Sequence, residues 1–187
     1  EKLLQAGHVH VLICVDLDKF KLVNDVYGYE TGNETLRAIA GILRERFPTN
    51  DAAIARLSGD HFAMLFDLGD DPGSLCRSLA EKIAAVTTPE GIPLRLACCM
   101  GVYLVPAGEN DIAACLDKAQ MATSQAKERH THSFCFYDHT LRQRLLDERE
   151  IESTMESALQ NGQFEIYLQP KIALATGELT GAEALIR

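Results

Sequence analysis

The segment that most constrains the fold lies near the start of the chain, at residues 8–16, and reads HVHVLICVD. Apolar and β-branched side chains dominate it, and it ends on a carboxylate. Such a run is typical of a strand that is buried on both faces, because a half-exposed strand would alternate apolar with polar residues. We therefore expect this strand to lie inside a sheet whose two faces are both covered.

Strand-like and helix-like patterns are mixed along the first 138 residues. Two short apolar runs, residues 54–57 and 62–66, flank the polar tetrapeptide SGDH at residues 58–61, a composition that favours a tight hairpin. An order of this kind predicts an α+β fold, a sheet covered by helices. The predicted elements are strand 8–16, helices 20–27 and 34–47, the hairpin, a helix after Pro72, strand 94–105, a helix ending near Arg129, and strand 134–137.

Composition disfavours several classes of partner. The 187 residues carry 27 acidic and 18 basic side chains, for a formal charge of −9. Because nucleic acids and anionic membranes bind basic surfaces, we expect neither as a partner. No apolar stretch reaches the ~20 residues of a membrane span, and we recognise no leader. The six cysteines form no CxxC pair and mostly lie in apolar runs, so we expect buried free thiols and a cytoplasmic protein.

The sequence changes character after Asp138. Residues 139–162 are charged and amphipathic and end at Gly162, which predicts a connector helix or the first helix of something new. Residues 163–187 then alternate in polarity around a turn at Thr176 and Gly177. This pattern predicts two strands at the beginning of a further domain.

Three carboxylates are expected where strands end. Asp16 and Asp18 follow the buried strand, and Asp60 lies at the tip of the hairpin. Adjacent strands would bring them within reach of one hard cation such as Mg²⁺, which proteins hold with carboxylates, waters and substrate phosphates. From the residues alone, solvated turn carboxylates are the commoner explanation.

The sequence around these carboxylates is more specific. Residues 16–28 read DLDKFKLVNDVYG, Gly32 and Asn33 precede a predicted helix, residues 58–62 read SGDHF, and residues 119–127 read AQMATSQAK. Over residues 1–138, these motifs in this order resemble the GGDEF domain of diguanylate cyclases. The resemblance implies a nucleotidyl-cyclase-like, antiparallel-rich central sheet. In active members, a homodimer condenses two GTP molecules into cyclic-di-GMP with the help of two Mg²⁺ ions.

The resemblance also implies roles for individual residues. The metal-binding positions of the family correspond to Asp16, the carbonyl of Leu17, and Asp60, and Asp60 is the catalytic acid retained in the signature. The nucleotide-binding positions correspond to Lys21, Asn24, Asn33 and Lys127. The ligands implied for this chain are therefore Mg²⁺ and GTP, both bound weakly.

Two departures fall within the signature itself, which reads Ser58, Gly59, Asp60, His61 and Phe62 here. Ser58 replaces a glycine where the backbone passes close to nucleotide, and this narrows the allowed φ and ψ angles. His61 replaces an acid, and a neutral imidazole does not offset a dication as a carboxylate does. Together these changes argue against turnover.

Further departures concern the ligands. Asn33 replaces an aspartate that recognises guanine and offers one acceptor where a carboxylate offers two; the alternative is that Asn33 simply caps its helix. Thr131 replaces an arginine that binds phosphate in the family. Residues 49–52 lack the RxxD pattern of the inhibitory product site. We therefore expect weak GTP binding and no product feedback.

A second resemblance covers residues 164–187, FEIYLQPKIALATGELTGAEALIR. This segment resembles the first two strands of an EAL domain, the cyclic-di-GMP phosphodiesterase that commonly follows a GGDEF domain in one polypeptide. Gln169 corresponds to a residue that contacts cyclic-di-GMP, Glu183 to a metal ligand and Arg187 to a residue near the substrate phosphate. Residues 163–187 would then be the truncated start of an EAL domain that, when complete, binds cyclic-di-GMP. The alternative is a tail without a function of its own.

The leading hypothesis is a catalytically inactive GGDEF domain at residues 1–138 that regulates a C-terminal EAL phosphodiesterase, with weak Mg-GTP binding as its input. Two alternatives stay open at this point. One is a slow but active diguanylate cyclase that tolerates His61. The other is an interaction or dimerisation module that binds no nucleotide.

Overall fold

The computed structural model describes residues 9–47, 52–69, 71–129 and 133–187. The chain divides into two compact units, Glu1–Leu141 and Arg142–Arg187. In the part of the chain that the structure describes, no helix is both long and apolar enough to cross a membrane. Two positions where the sequence departs from the family lie outside the described residues. They are residues 49–51, part of the segment that lacks the product-site pattern, and Thr131, which replaces an arginine.

The first unit is built on a five-stranded sheet with the order β2-β3-β1-β4-β5. All neighbouring strands are antiparallel except β4 and β5, which are parallel. The order confirms the predicted α+β fold with an antiparallel-rich central sheet, and it places β1 in the middle. The strands are β1 (His10–Leu17), β2 (Ala52–Ser58), β3 (His61–Asp67), β4 (Cys98–Val105) and β5 (Phe134–Phe136).

Helices cover both faces of this sheet, and they are α1 (Lys21–Glu45), α2 (Pro72–Ala84) and α3 (Ile112–Arg129). All eight residues of β1 are buried, and its side chains alternate between two apolar cores. Val11, Ile13 and Val15 pack in a core that includes α1 and α2. Leu12 and Cys14 pack in a second core that includes α3. The strand is therefore buried on both faces, as its sequence predicts.

The second predicted helix begins earlier than residue 34. Helix α1 runs from Lys21 to Glu45 and is interrupted at Gly28, where φ is 85° and ψ is 162°. Glycine adopts positive φ without a steric cost, so one helical segment ends at Gly28 and the next begins directly after it. Asn33 consequently lies inside a helix. The alternative explanation of Asn33 as an N-cap is wrong.

Strand β4 is shorter than the apolar run at residues 94–105, because it begins only at Cys98. Arg95 has a φ of 49°, a left-handed conformation that does not fit a continuous strand. Pro93 forms an isolated bridge to Thr87. A turn therefore separates the start of the apolar run from the strand, and apolar patterning does not reveal such a turn.

Helix α3 lies unusually close to β4 at Gly101. A Cβ atom on Gly101 would overlap the carbonyl oxygen of Ala119 and the backbone nitrogen of Thr123. Because only glycine lacks that atom, the helix can settle directly on the strand. This approach positions the last turns of α3, which carry Lys127, over the end of β1.

The second unit begins within α4 (His139–Gln160) and contains a hairpin of β6 (Ile166–Ile172) and β7 (Leu179–Ile186). The helix ends in a turn at Gly162, whose φ is +65°. The two strands are antiparallel, with an irregularity between Lys171 and Ile172. The assignment of this hairpin to an EAL domain stays a prediction.

Candidate functional site

The hairpin with the sequence SGDHF places its tip beside the end of β1. A two-residue turn joins Ser58 to His61, and Gly59 in that turn has a φ of +48°. Arg56 Nε donates a hydrogen bond of 2.6 Å to the Gly59 carbonyl and so braces the turn. Because β1 and β3 are antiparallel neighbours, their register sets Asp16 directly opposite His61.

Asp16 is the centre of a group of polar side chains that we call the Asp16 cluster: Asp16, Asp60, His61 and Lys127. Asp16 Oδ2 lies 2.6 Å from His61 Nε2 and 2.6 Å from Lys127 Nζ. On the other side of the imidazole, His61 Nδ1 lies 3.5 Å from Asp60 Oδ1. The Asp16 side chain is only 7% exposed. Among the described residues, its second oxygen, Oδ1, is buried without a hydrogen-bond partner.

The ion pair with Lys127 compensates the burial of Asp16. Moving a carboxylate out of water without a partner costs on the order of several kcal/mol. Burial also opposes the charge of Lys127, but the hydrogen bond to Asp16 and the negative charge of that carboxylate outweigh it and raise the pKa of Lys127 above its usual value. Lys127 is therefore a permanent cation at neutral pH, in direct contact with Asp16.

A pocket of about 310 Å³ opens between the hairpin and α3. Its lining includes Asp16, His61 and Lys127 together with further polar residues of α3. Those residues were missed by the sequence reasoning, although their helical spacing was a signal that puts them on one face with Lys127. They are Gln120, Thr123 and Ser124.

A separate pocket of about 340 Å³ lies on the α1 side of the hairpin, and we call it the α1 pocket. It brings together Lys21, Asn24 and Asn33, which the sequence predicts to bind nucleotide, and it also contains Asp60. Lys127 lines the pocket on the α3 side instead. The predicted nucleotide-binding residues therefore flank the hairpin tip on both sides, with Asp60 and His61 between them.

Gly32 makes room for Asn24 in the α1 pocket. A Cβ atom on Gly32 would overlap Asn24 Oδ1, and it would lie 3.1 Å from Asn24 Cγ and 3.6 Å from Phe20 Cζ. Gly32 and its neighbour Asn33 thus both shape the α1 pocket. The glycine admits one amide side chain, and the next residue supplies a second amide to the same pocket.

The side chains at the hairpin tip do not fit a magnesium centre. Mg²⁺ binds through free carboxylate oxygens, whereas Asp16 Oδ2 already contacts two donors. An imidazole nitrogen that donates a proton to a carboxylate has no lone pair left for a metal. Within the described ranges, no group of three or more His, Cys, Asp or Glu side chains is arranged to hold a metal ion. Magnesium binding by Asp16, the Leu17 carbonyl and Asp60 stays a prediction that this donor set does not support.

In the second unit, the hairpin aligns the residues singled out by the sequence. Gln169 in β6 pairs directly opposite Glu183 in β7. Arg187 exchanges two backbone hydrogen bonds of 2.9 Å with Glu165. Because side chains alternate along a strand, Gln169, Glu183 and Arg187 share one face of the hairpin. On that face Lys171 Nζ lies 3.2 Å from Glu183 Oε2, a contact that the sequence did not predict.

Comparison with known proteins agrees with this geometry. Residues 1–133 match the family described as "Diguanylate cyclase, GGDEF domain". Among solved structures, a GGDEF domain from Pseudomonas aeruginosa is 26% identical, with a TM-score of 0.62, and the match covers 74% of this chain and 83% of that one.

Two curated relatives come from the same organism. Cyclic di-GMP phosphodiesterase NbdA is 31% identical over 92% of this chain and 22% of its own length. The bifunctional diguanylate cyclase/cyclic di-GMP phosphodiesterase MucR is 28% identical over 94% of this chain and 26% of its own length. The chain thus spans about a quarter of the length of these relatives. On the sheet order, the hairpin and the match over residues 1–133, the chain belongs to the GGDEF domain family.

Proposed function

We propose that this GGDEF domain is catalytically silent and regulates an EAL phosphodiesterase within a cyclic-di-GMP signalling protein. The observation that carries the proposal is the 2.6 Å contact between His61 Nε2 and Asp16 Oδ2. At the position where active members have an acid, this chain has an imidazole bound to the carboxylate that the reaction needs.

The chemistry of the cluster supports the absence of turnover. Divalent cations in active members lower the pKa of the attacking 3′-hydroxyl and stabilise charge at the α-phosphorus. In this chain Asp16 Oδ2 already contacts both Lys127 and His61, so this oxygen is not free to bind a divalent cation. The cluster can orient a phosphate through Lys127, but it has no free carboxylate pair for activating a hydroxyl.

The α1 pocket supports weak recognition of a guanine nucleotide. Asn24 and Asn33 both line it, and Lys21 adds a positive charge. A carboxylate at residue 33 would accept hydrogen bonds from both N1–H and the 2-amino group of guanine, whereas an amide opposes one of these donors with its own NH₂. A mismatched buried donor costs about 1–3 kcal/mol, or about tenfold to a hundredfold in affinity. We propose that GTP binds here weakly and acts as the regulatory input.

Two observations support the phosphodiesterase half of the proposal. Gln169, Glu183 and Arg187 lie on one face of the β6–β7 hairpin, as expected if this hairpin opens an EAL domain. NbdA and MucR, which carry phosphodiesterase in their names, match this chain across both of its units. We infer that cyclic-di-GMP is the substrate of the complete protein.

The enzyme question is tested by incubating the 187-residue chain with GTP and Mg²⁺ and separating the products by chromatography. We expect no cyclic-di-GMP above the level of an Asp60→Ala control. Formation above that control would instead establish a slow cyclase, the alternative that the retained Asp16, Asp60 and Lys127 favour. A triple variant, Ser58→Gly, Asn33→Asp and His61→Glu, shows whether restoring these three family residues leads to formation of cyclic-di-GMP.

The regulatory question needs the full-length protein. We expect GTP to change the rate at which it hydrolyses cyclic-di-GMP, and we expect Asn24→Ala to abolish that change while leaving the basal rate intact. An unchanged rate together with no saturable heat on GTP titration would favour a pure interaction module.

A further inference from the structure

The Asp16 cluster contains its own donor groups, an ammonium and an imidazole, at the position where active members of the family take up divalent metal. We propose that Lys127 and His61 replace the divalent cation in this cleft, so that the hairpin tip binds neither Mg²⁺ nor Mn²⁺. This inference rests on the proposed silent GGDEF domain, but it concerns the binding of an ion and not turnover.

Asp16 Oδ2 is already surrounded by donor groups of the protein. Two donors from two different elements, His61 of β3 and Lys127 of α3, each lie 2.6 Å from this one oxygen. Mg²⁺ binds carboxylate oxygens at about 2.0–2.1 Å and demands near-octahedral order around it. An ion at Oδ2 would have to displace both side chains at once.

The ammonium group of Lys127 already offsets part of the negative charge of the cluster. Lys127 Nζ lies 2.6 Å from Asp16 Oδ2, so the positive charge of its ammonium group stands beside any ion that approaches that oxygen. Asp60 is the other carboxylate of the cluster, and its Oδ1 lies 3.5 Å from the second nitrogen of the same imidazole. A dication would therefore meet the positive charge of Lys127 and two carboxylates that each already have one oxygen beside a protein nitrogen.

Contacts between protein side chains also hold the elements around the cleft together. Carboxylates gathered in one site repel one another, whereas in the Asp16 cluster Asp16 contacts His61 of β3 and Lys127 of α3 and so links β1 to both elements. Asp16 Oδ1 is buried and has no partner in the part of the chain that the structure describes, and one such oxygen does not make a metal centre. The cleft is thus assembled by contacts between protein side chains.

The test is a calorimetric titration of Mn²⁺ into the nucleotide-free 187-residue chain, with thermal unfolding measured in parallel. We expect no saturable heat and no rise in Tm for the wild-type chain. His61→Glu replaces the bound imidazole by an acid, so we expect it to gain saturable Mn²⁺ binding and a Tm that rises with Mn²⁺. His61→Gln is the matched control: it also removes the imidazole but adds no acid, and it should gain nothing.

Saturable Mn²⁺ binding by the wild-type chain that Asp16→Asn abolishes would overturn the proposal, and this measurement stands even if a His61 variant does not fold. Failure of a folded His61→Glu chain to bind Mn²⁺ would refute the role given to His61. Cation binding without cyclic-di-GMP formation would contradict this inference alone. Cyclic-di-GMP formation would contradict the proposed function.

Discussion

Single side chains decide what the α1 pocket recognises. Asn24 and Asn33 approach it from two parts of α1, before and after the interruption at Gly28, and both line it together with Lys21. Two amides present donors as well as acceptors, so they do not match the two adjacent donors of guanine as an amide and a carboxylate would. On the proposed function, the two amides of the α1 pocket would therefore match the hydrogen-bonding edge of guanine only in part.

The variant Asn33→Asp should restore that polarity. We expect GTP to bind about tenfold to a hundredfold more tightly, since a mismatched donor pair becomes a matched one. Isothermal titration with GTP measures the gain. ATP should show none, because adenine lacks the two donors that a carboxylate recognises. Equal gains for GTP and ATP would mean that residue 33 does not contact the base.

Gly32→Ala should separate stability from recognition. The new Cβ would overlap Asn24 Oδ1, the flexible end of a side chain, so Asn24 can swing away at little cost. Alanine is also favoured over glycine inside a helix, by about 1 kcal/mol. We expect thermal unfolding to be unchanged or slightly higher while GTP binding is lost.

The matched control for Gly32→Ala is Gly41→Ala, in the same helix. A Cβ on Gly41 would meet nothing within 4 Å. The Gly41→Ala variant should show the same rise in thermal stability from helix propensity, with GTP binding intact. Loss of binding in both variants would indicate that helix propensity, and not the displacement of Asn24, is responsible.

The position of α3 depends on its contact with β4. At Gly101 a Cβ atom would overlap backbone atoms of Ala119 and Thr123, and backbone cannot swing aside as a side chain can. Gly101→Ala should therefore push the helix away from the sheet at a cost of about 1–3 kcal/mol or more. Urea unfolding measures the loss, and Gly181→Ala in β7, where the added Cβ meets nothing within 4 Å, is the control. A stability equal to wild type would contradict this account of the interface.

The outcome for individual elements shows what the sequence can reveal. The buried run of β1 and the SGDH tetrapeptide were sufficient to predict the central strand and the hairpin, because both signals are local in the chain. The sequence pattern did not locate the start of the second half of α1, because that start depends on the φ of Gly28. The start of β4 was missed because it depends on the backbone conformation of Arg95.

The chemistry of the hairpin tip was predictable only in part. The family resemblance marked Asp16, His61 and Lys127 as notable, but their mutual contacts arise from long-range geometry. The contact of His61 with Asp16 follows from the β1–β3 register. The contact of Lys127 with Asp16 follows from the docking of α3 on β4 at Gly101. No local pattern encodes either one.

Buried thiols in both cores make the stability of the first unit depend on pH. Cys76 and Cys98 lie in the core that includes α1 and α2, and Cys14 lies in the core that includes α3. Burial raises the pKa of Cys14 to about 11 and those of Cys76 and Cys98 to about 12. These thiols therefore stay protonated in the folded chain well above neutral pH, which makes them inert as nucleophiles and as metal ligands.

Cys76 gives the sharpest test of this coupling. Below its ordinary pKa of 9.0, the thiol is protonated in both states and its contribution to stability is fully present. Above that pH the unfolded chain releases the proton while the folded chain keeps it, up to a pKa of about 12. The free energy of unfolding should thus fall by about 1.4 kcal/mol per pH unit for this thiol across that window. The free energy of unfolding is measured with urea at about pH 8 and about pH 10. Its decline between the two pH values should be smaller by about 1 kcal/mol in Cys76→Ala than in the wild type. Equal declines would mean that the thiol is not shielded from water in the folded chain.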